Sequence, residues 1–239
     1  MAKIEQINNE SHKNLKIKKT PDVSDLAEQN ILPVVVGEFS HAATEFPICF
    51  IKNPQNDEFQ VVVLMGIERK ENLFVENDQW TGSYMPARYT HKPFGLVSNP
   101  NNDQEFGLAM DVEHPLVSET EGEALFNEDG TESEFLEKQK KGMSNYLEQE
   151  HLTKLFAKEL GEKELLIHRQ INVKLDGKQM DIDGVYMVDE EKFNQLSDED
   201  FLSMRKRGML SAIYTHLLSM RQMNNLMRRK SERMAKEKA

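Results

Sequence analysis

The pattern of apolar and polar residues changes along the chain, and the first part of it is typical of strands. Between residues 31 and 126, apolar residues form short runs rich in Val, Ile and Phe, separated by Pro, Gly, Asn and Asp. The segment Asn53–Asp57 has the composition of a hairpin turn. The pattern predicts strands at 31–36, 46–51, 59–67, 72–75, 94–97 and 106–112.

Beyond residue 130 the pattern becomes helical. Thr131 and Glu134 form a T-x-x-E capping box, and apolar residues then recur at helical spacing as far as Leu160, where Gly161 is typical of a helix C-cap. We therefore expect a helix over residues 131–160. In the next segment, 164–188, apolar and polar residues alternate as they do in a half-buried strand, and Asp176-Gly177 in the middle is typical of a tight turn. This pattern predicts a β-hairpin.

A last helical pattern begins at Ser197, the predicted N-cap, and its apolar stripe continues to Met227. An unbroken helix of about forty residues would be roughly 60 Å long. A body of this size does not cover that length. The helix is therefore expected either to break near Gly208 or to project from the body at its end.

This order of elements indicates an α+β fold, because strands are followed by helices and a hairpin without alternating βα units. We expect a mainly antiparallel sheet core packed with C-terminal helices and the β-hairpin. The expected organisation is an N-terminal arm at 1–27, a single domain at 28–227 and a basic tail at 228–239. The arm is expected to be exposed and mostly irregular, with a short strand at Leu15–Lys18.

Composition and charge narrow the class of protein. No apolar run approaches the about 20 residues of a membrane-spanning helix, and the first twenty residues lack a signal-peptide core. We therefore expect a cytoplasmic protein, with the single cysteine, Cys49, as a buried apolar residue.

The charge is unevenly distributed. Residues 1–20 carry a net charge of +3 and residues 221–239 a net charge of +5. Because the whole chain carries −11, the residues between them carry −19. This acidic body argues against nucleic acid as a partner.

The sequence contains none of the common catalytic or cofactor motifs. It lacks the glycine-rich phosphate loops, the G-x-S-x-G elbow and any Cys/His cluster, so no catalytic residue, cofactor or metal is predicted. The stretch 71–94 combines aromatic residues with an arginine, which is typical of a binding surface and of a small core alike. The predicted binding residues are Glu38, Asn72, Trp80, Tyr84, Arg88 and Tyr89.

Methionines are concentrated in the last helical stretch. Flexible thioethers suit adaptable contacts with a partner and suit a soft helix core equally well, and the sequence leaves both interpretations open. The predicted partner-binding residues are Met220, Met223, Met227, Arg228 and Arg229.

Several motifs along nearly the whole chain are those of a known family. They include Val34–Phe39, Phe46–Phe50, Tyr84–Ala87, Glu121–Phe126 and Gly184–Asp189. The chain resembles the SapC family of bacterial proteins, which is distinct from the peptide-transport permease of the same name. The resemblance implies a link to surface-layer gene clusters and to genes for TonB-dependent receptors, but it supplies no catalytic residues.

We therefore expect an accessory or adaptor protein without enzymatic activity, which holds a protein partner in support of nutrient uptake or surface-layer-related assembly. The alternative is a small-molecule-binding protein or an enzyme with an unrecognised site near Trp80 and Arg88. The sequence sets no oligomeric state.

Overall fold

The computed structural model describes residues 2–19, 23–99, 102–175 and 177–238. The fold is α+β, as predicted, and the strands pair antiparallel throughout the described residues. The strands are β1 (Ile4–Gln6), β2 (Lys16–Ile17), β3 (Ile31–Pro33), β4 (Ile48–Lys52), β5 (Phe59–Leu64), β6 (Val75–Glu76), β7 (Gln79–Trp80), β8 (Phe94–Asn99), β9 (Asn102–Asp111), β10 (Val117–Ser118), β11 (Glu123–Ala124), β12 (Leu166–Leu175) and β13 (Lys178–Val188).

Helices of very different length accompany the strands. The α-helices are α1 (Asn9–His12), α2 (Phe39–Ala42), α3 (Ala87–Thr90), α4 (Glu134–Glu162), α5 (Glu190–Asn194), α6 (Asp198–Lys206), α7 (Met209–Ser219) and α8 (Met223–Glu237). Short 3₁₀ helices lie at Ser24–Leu26, Val36–Glu38 and Met220–Gln222.

The chain divides into two compact units. The first comprises Met1–Asp22 and Ala87–Glu148, and the second comprises Val23–Pro86 and Gln149–Ala239. Helix α4 therefore contributes to both. The boundaries predicted from the sequence, 1–27, 28–227 and 228–239, stay a prediction.

The first unit contains the sheets β1-β9-β8 and β10-β2-β11. Strand β2 lies where the short strand at Leu15–Lys18 was predicted. The expectation of a mostly irregular arm is wrong, however, because Ile4–Gln6 pairs with Ala109–Asp111 and His12 is buried. The core of this unit is formed by Ile17, Phe94, Leu108, Met110, Leu116, Leu125, Phe126, Leu136 and Met143.

The second unit is built on a five-stranded sheet in the order β12-β13-β4-β5-β3. The predicted turn at Asn53–Asp57 joins β4 to β5, and Asp57 takes up the left-handed conformation with φ +59°. The largest fully buried side chains of this second unit are Phe46, Phe50, Phe74, Leu26, Ile48, Leu64, Met65, Leu73 and Leu160. The hairpin at 164–188 is confirmed as β12 and β13, but Asp176 of its predicted turn lies outside the described residues.

Helix α4 begins later than the capping box predicted. Ser133 caps it, since its Oγ accepts a hydrogen bond from the backbone N–H of Leu136 at 3.2 Å. Thr131 instead bonds Asp129 in the preceding turn. Gly161 lies within the helix rather than after its end, and its lack of a side chain leaves room for Phe59, since a Cβ there would lie 2.9 Å from that ring.

The last helical stretch is broken rather than projecting. Gly208, with φ +74°, separates α6 from α7, and the 3₁₀ turn Met220–Gln222 separates α7 from α8. Ser197 is the N-cap of α6, as predicted, and its Oγ accepts from the N–H of Asp200 at 3.1 Å. The break lets three shorter helices pack where one long helix would leave the body.

A buried histidine joins α7 to the five-stranded sheet. His216 Nδ1 lies 2.8 Å from the carbonyl oxygen of Ile48 in β4, and Nε2 accepts from the N–H of Val188 in β13 at 3.0 Å. This pairing assigns the proton to Nδ1 of a neutral ring. Burial lowers the pKa of His216 to about 4, although the hydrogen bond to Ile48 opposes the shift.

The low pKa of His216 makes the fold sensitive to acid. The unfolded chain takes up a proton below about pH 6.5 whereas the native ring resists it, so this stability is present above about pH 6.5 and is lost as the pH falls toward 4. Between pH 7 and pH 4.5, we expect the wild-type free energy of unfolding to fall by about 2 kcal/mol more than that of His216→Gln. Urea unfolding at both pH values measures this difference, and equal losses would contradict it.

Candidate functional site

The predicted binding residue Trp80 belongs to an aromatic cluster in the second unit. A two-residue turn joins β6 to β7, with Asn77 and Asp78 at φ +49° and +57°, conformations that these residue types tolerate. The indole of Trp80 stacks on Phe74 at 5.7 Å between ring centroids, and Phe74 meets Phe46 at 4.6 Å. Trp80 is only partly exposed, so most of the cluster is filled by its own rings.

Arg229 of α8, which is about 150 residues later in the sequence, packs against this cluster. Its guanidinium lies 4.1 Å from the centroid of Phe74 and donates to Thr81 Oγ1 at 3.0 Å. Burial lowers the pKa of Arg229, which remains a cation because its ordinary value is so high. Among the described residues, the Nε of Arg229 and the Nε1 of Trp80 are the two buried side-chain nitrogens that no hydrogen-bond partner satisfies.

Glu38 and Tyr84 lie together near this cluster and hold each other. The Tyr84 hydroxyl donates to one carboxylate oxygen of Glu38 at 2.5 Å, and the other accepts from the N–H of Val35 at 3.0 Å. His41 stacks on Tyr84 with 5.5 Å between the ring centroids. Glu38 is buried, so it fixes the chain around the 3₁₀ helix at 36–38.

Asn72 has a comparable structural role. Its side chain is buried, donates to the carbonyl oxygen of Leu26 at 3.1 Å and accepts from the N–H of Phe74 at 2.9 Å. These two bonds stabilise the irregular segment after β5.

Glu45, which is not among the predicted binding residues, organises the other side of Trp80. Its carboxylate accepts from the N–H groups of Ser83 and Tyr84 at 2.9 and 3.0 Å. Gly82 makes this approach possible, because a Cβ there would lie 2.8 Å from Trp80 Nε1 and 2.9 Å from Glu45 Oε2. No sequence motif marks Glu45, since its partners are backbone amides nearly forty residues away.

The remaining two predicted binding residues lie in α3 and so belong to the first unit. Arg88 is exposed, whereas Tyr89 is buried and has the Lys92 ammonium 4.4 Å from its ring centroid. The structure therefore brings Glu38, Trp80 and Tyr84 together in one unit and assigns Arg88 and Tyr89 to the other.

The basic end of α8 is used within the protein. Arg233 donates to the carbonyl oxygens of Asn72 and Val75 at 2.8 and 2.9 Å. Lys230 is buried, with its ammonium against Glu68 and 2.6 Å from Glu71. Burial by itself lowers the pKa of Lys230, but the hydrogen bonds to both carboxylates outweigh it and leave the pKa raised.

Some of the predicted partner-binding residues make contacts inside the protein instead of facing solvent. Arg229 contacts Phe74, and Met220 Sδ lies 3.8 Å from the Cys49 thiol. Met223 and Met227 are half-buried. Arg228 is exposed and pairs with Glu232 at 2.6 Å along the helix.

A different surface of the same helical region is apolar and exposed. Tyr214 and Leu218 lie four residues apart on α7, with 48% and 65% of their surfaces exposed. Neither residue was predicted to bind a partner, because the apolar stripe of the helical pattern runs through Ile213 and Leu217 instead. Apolar residues at i and i+4 outside that stripe were the available signal.

Within the described residues, every helix is too short or too polar to span a lipid bilayer. The same residues contain no group of three or more His, Cys, Asp or Glu side chains placed to hold a metal ion.

Comparison with known proteins places the chain in a family. The family model named SapC matches residues 7–226. The chain belongs to the SapC family. The SapC match includes all of α7 and ends within α8. It confirms the resemblance seen in the sequence. No curated protein and no solved structure matches the chain.

Cys49 is expected to be chemically inert in the folded protein. Its side chain is fully buried, and burial raises the pKa of its thiol to about 12, so the reactive thiolate does not form near neutral pH. A colorimetric disulfide reagent should therefore label no thiol in the native protein and one thiol per chain in denaturant. Prompt labelling of native protein would show that Cys49 is accessible.

The Lys230 ion pairs are expected to matter far more than an exposed pair on the same helix. Lys230→Met leaves the nearly buried Glu71 carboxylate without its cation, which should lower the free energy of unfolding by about 2–3 kcal/mol. Arg228→Met removes the exposed pair with Glu232 and should cost at most about 0.5 kcal/mol. Urea unfolding of both variants tests this, and similar losses would contradict it.

Proposed function

We propose that this SapC protein is an accessory or adaptor protein that holds a protein partner on the exposed face of α7. The observation that carries the proposal is the adjacent pair Tyr214 and Leu218, which leaves large apolar side chains in solvent. Single exposed leucines need no explanation, whereas neighbouring apolar residues on one helix face are typical of a contact surface. Tyrosine also contributes strongly to binding surfaces.

The charge around this face indicates the chemistry of the partner. Arg221 lies three residues after Leu218 and is exposed, and no ion pair occupies it within the described residues. Arg205 and Lys206 at the end of α6 are exposed as well. An amphipathic helix that carries acidic residues beside its apolar stripe would complement both features.

The predicted partner residues Met220 and Met223 adjoin this face in sequence and remain half-exposed. Their flexible thioethers suit a surface that adapts to a partner. The basic side chains of α8 contribute less, because Arg229 is committed to Phe74 and Thr81. We further propose that the protein acts in the cytoplasm, in support of nutrient uptake or surface-layer-related assembly.

The partner proposal is tested by replacing the most exposed apolar side chain. Leu218→Ser should leave the free energy of unfolding within about 0.5 kcal/mol of wild type, because Leu218 packs little. In affinity purification from the native cell, wild-type protein should retain a stoichiometric partner that Leu218→Ser loses. A photo-crosslinking residue at position 218 should join that same partner.

Leu152→Ser is the matched comparison, because α4 carries the other exposed apolar pair of the described second unit, Leu152 and Leu155, with 44% and 49% of their surfaces exposed. It should retain the partner. Retention by Leu218→Ser, or equal loss by both variants, would refute the α7 face.

A second candidate function is small-molecule binding at the Trp80 cluster. The unsatisfied Nε1 of Trp80 and Nε of Arg229 favour it, because buried donors without partners are rare and mark places where a ligand or water binds. Absence of any stoichiometric partner in the purification above would favour this candidate over the adaptor.

A further inference from the structure

The hairpin of β12 and β13 extends beyond the sheet that it joins. Strand β13 pairs with β12 along its length, from Lys178 to Val188. It pairs with β4 only at Val185 and Tyr186. Among the described residues, the other edge of β13 therefore has no partner strand between Lys178 and Gly184.

A bulge marks the point where this edge becomes free. The pairing passes from Arg169–Val185 to Ile171–Ile182, so one residue of β12 opposes both Asp183 and Gly184. Gly184 has φ +76°, as the glycine of such a bulge often does. Bulges bend the strand and increase its twist, which explains why β13 leaves β4 here.

A cavity of about 420 Å³ lies along this free edge. One wall is formed by five consecutive residues of β13, Gln179 to Asp183, and the opposite wall by Asn30 and Ile67–Arg69. Successive side chains of a strand point to opposite faces. A cavity lined by five in a row must therefore follow the backbone edge rather than one face.

The wall from β13 combines an apolar base with exposed carboxylates. Met180 and Ile182 are buried, whereas Asp181 and Asp183 alternate with them and are exposed. Asp183 pairs with His168 at 2.9 Å. Asp181 has no ion pair within the described residues.

The opposite wall carries Glu68, whose carboxylate meets Lys230, and the exposed guanidinium of Arg69. The charge that β13 itself presents to the cavity is therefore negative, since Asp181 and Asp183 alternate on one face of the strand.

We propose that the free edge of β13 binds an extended peptide segment of another protein by strand addition, with basic side chains of that segment beside Asp181 and Asp183. Backbone hydrogen bonds to the edge would supply affinity, and the two carboxylates would select the sequence. This surface differs from the α7 face and does not depend on it.

A second copy of this chain fits the edge less well. Antiparallel pairing of two β13 edges about a two-fold axis at this segment would place Asp181 and Asp183 opposite carboxylates of the partner copy. Like charges directly opposite each other destabilise a strand pair, whereas a basic strand is attracted.

The test uses full-length protein and a fluorescent peptide of eight alternating lysines and valines. A second peptide, N-methylated at alternate residues, keeps the charge but cannot pair as a strand. The first should bind with a Kd below about 1 mM, and the second should bind at least tenfold more weakly. Hydrogen exchange should slow at residues 179–183 when the first peptide is added.

Asp181→Lys should weaken binding at least about tenfold and Asp181→Asn by less, since one reverses and the other removes the charge. Both are exposed substitutions that leave the core unchanged. The matched control is Glu121→Lys, an exposed acid in the first unit, and it should bind as wild type does.

Equal binding of both peptides, equal binding by Asp181→Lys, or no binding below about 1 mM would overturn the proposal. A dimer of the free protein that Asp181→Lys strengthens or dissolves would also overturn it, because a second copy would then occupy the edge.

Discussion

The irregular segment between β5 and the Trp80 cluster depends on cations supplied from the far end of the chain. Backbone carbonyl groups outside helices and sheets need partners when they are buried. Arg233 serves Asn72 and Val75, and Lys230 binds the acidic side chains of Glu68 and Glu71. Without α8, this segment would lose these hydrogen bonds and ion pairs and keep those within the segment and to Leu26. The order of the predicted binding region thus follows from the last helix.

These contacts of α8 show that most of the basic C-terminal residues have a structural role. As a sequence, 228–239 resembles a solvated helix end, and its charge suggests an external partner. In the structure, Lys230 and Met234 are buried and Arg229 covers Phe74. The most exposed large apolar side chain among the described residues, Leu218, lies one helix earlier, on α7.

Local patterns of apolar and polar residues predicted most of the helices and strands. The strands from β3 to β5, the turn between β4 and β5 and the hairpin of β12 and β13 were all predictable, because alternation and turn composition are local properties. The order β12-β13-β4-β5-β3 was not, since it joins residues more than 130 positions apart. Gly161 was misinterpreted for the same reason, because its role is set by contact with Phe59.

The candidate site was less predictable than the fold. Residue type identified Trp80 and Glu38, but the contact of Arg229 with Phe74 and the pairing of Glu38 with Tyr84 follow only from long-range packing. The two proposed surfaces are also connected through strand β13. His216 ties α7 to Val188 at one end of β13, while the bulge at Gly184 separates the free edge from that anchor. The anchored end of β13 and the free edge beyond the bulge are therefore different parts of one strand, so the two proposed contacts would not compete for the same residues.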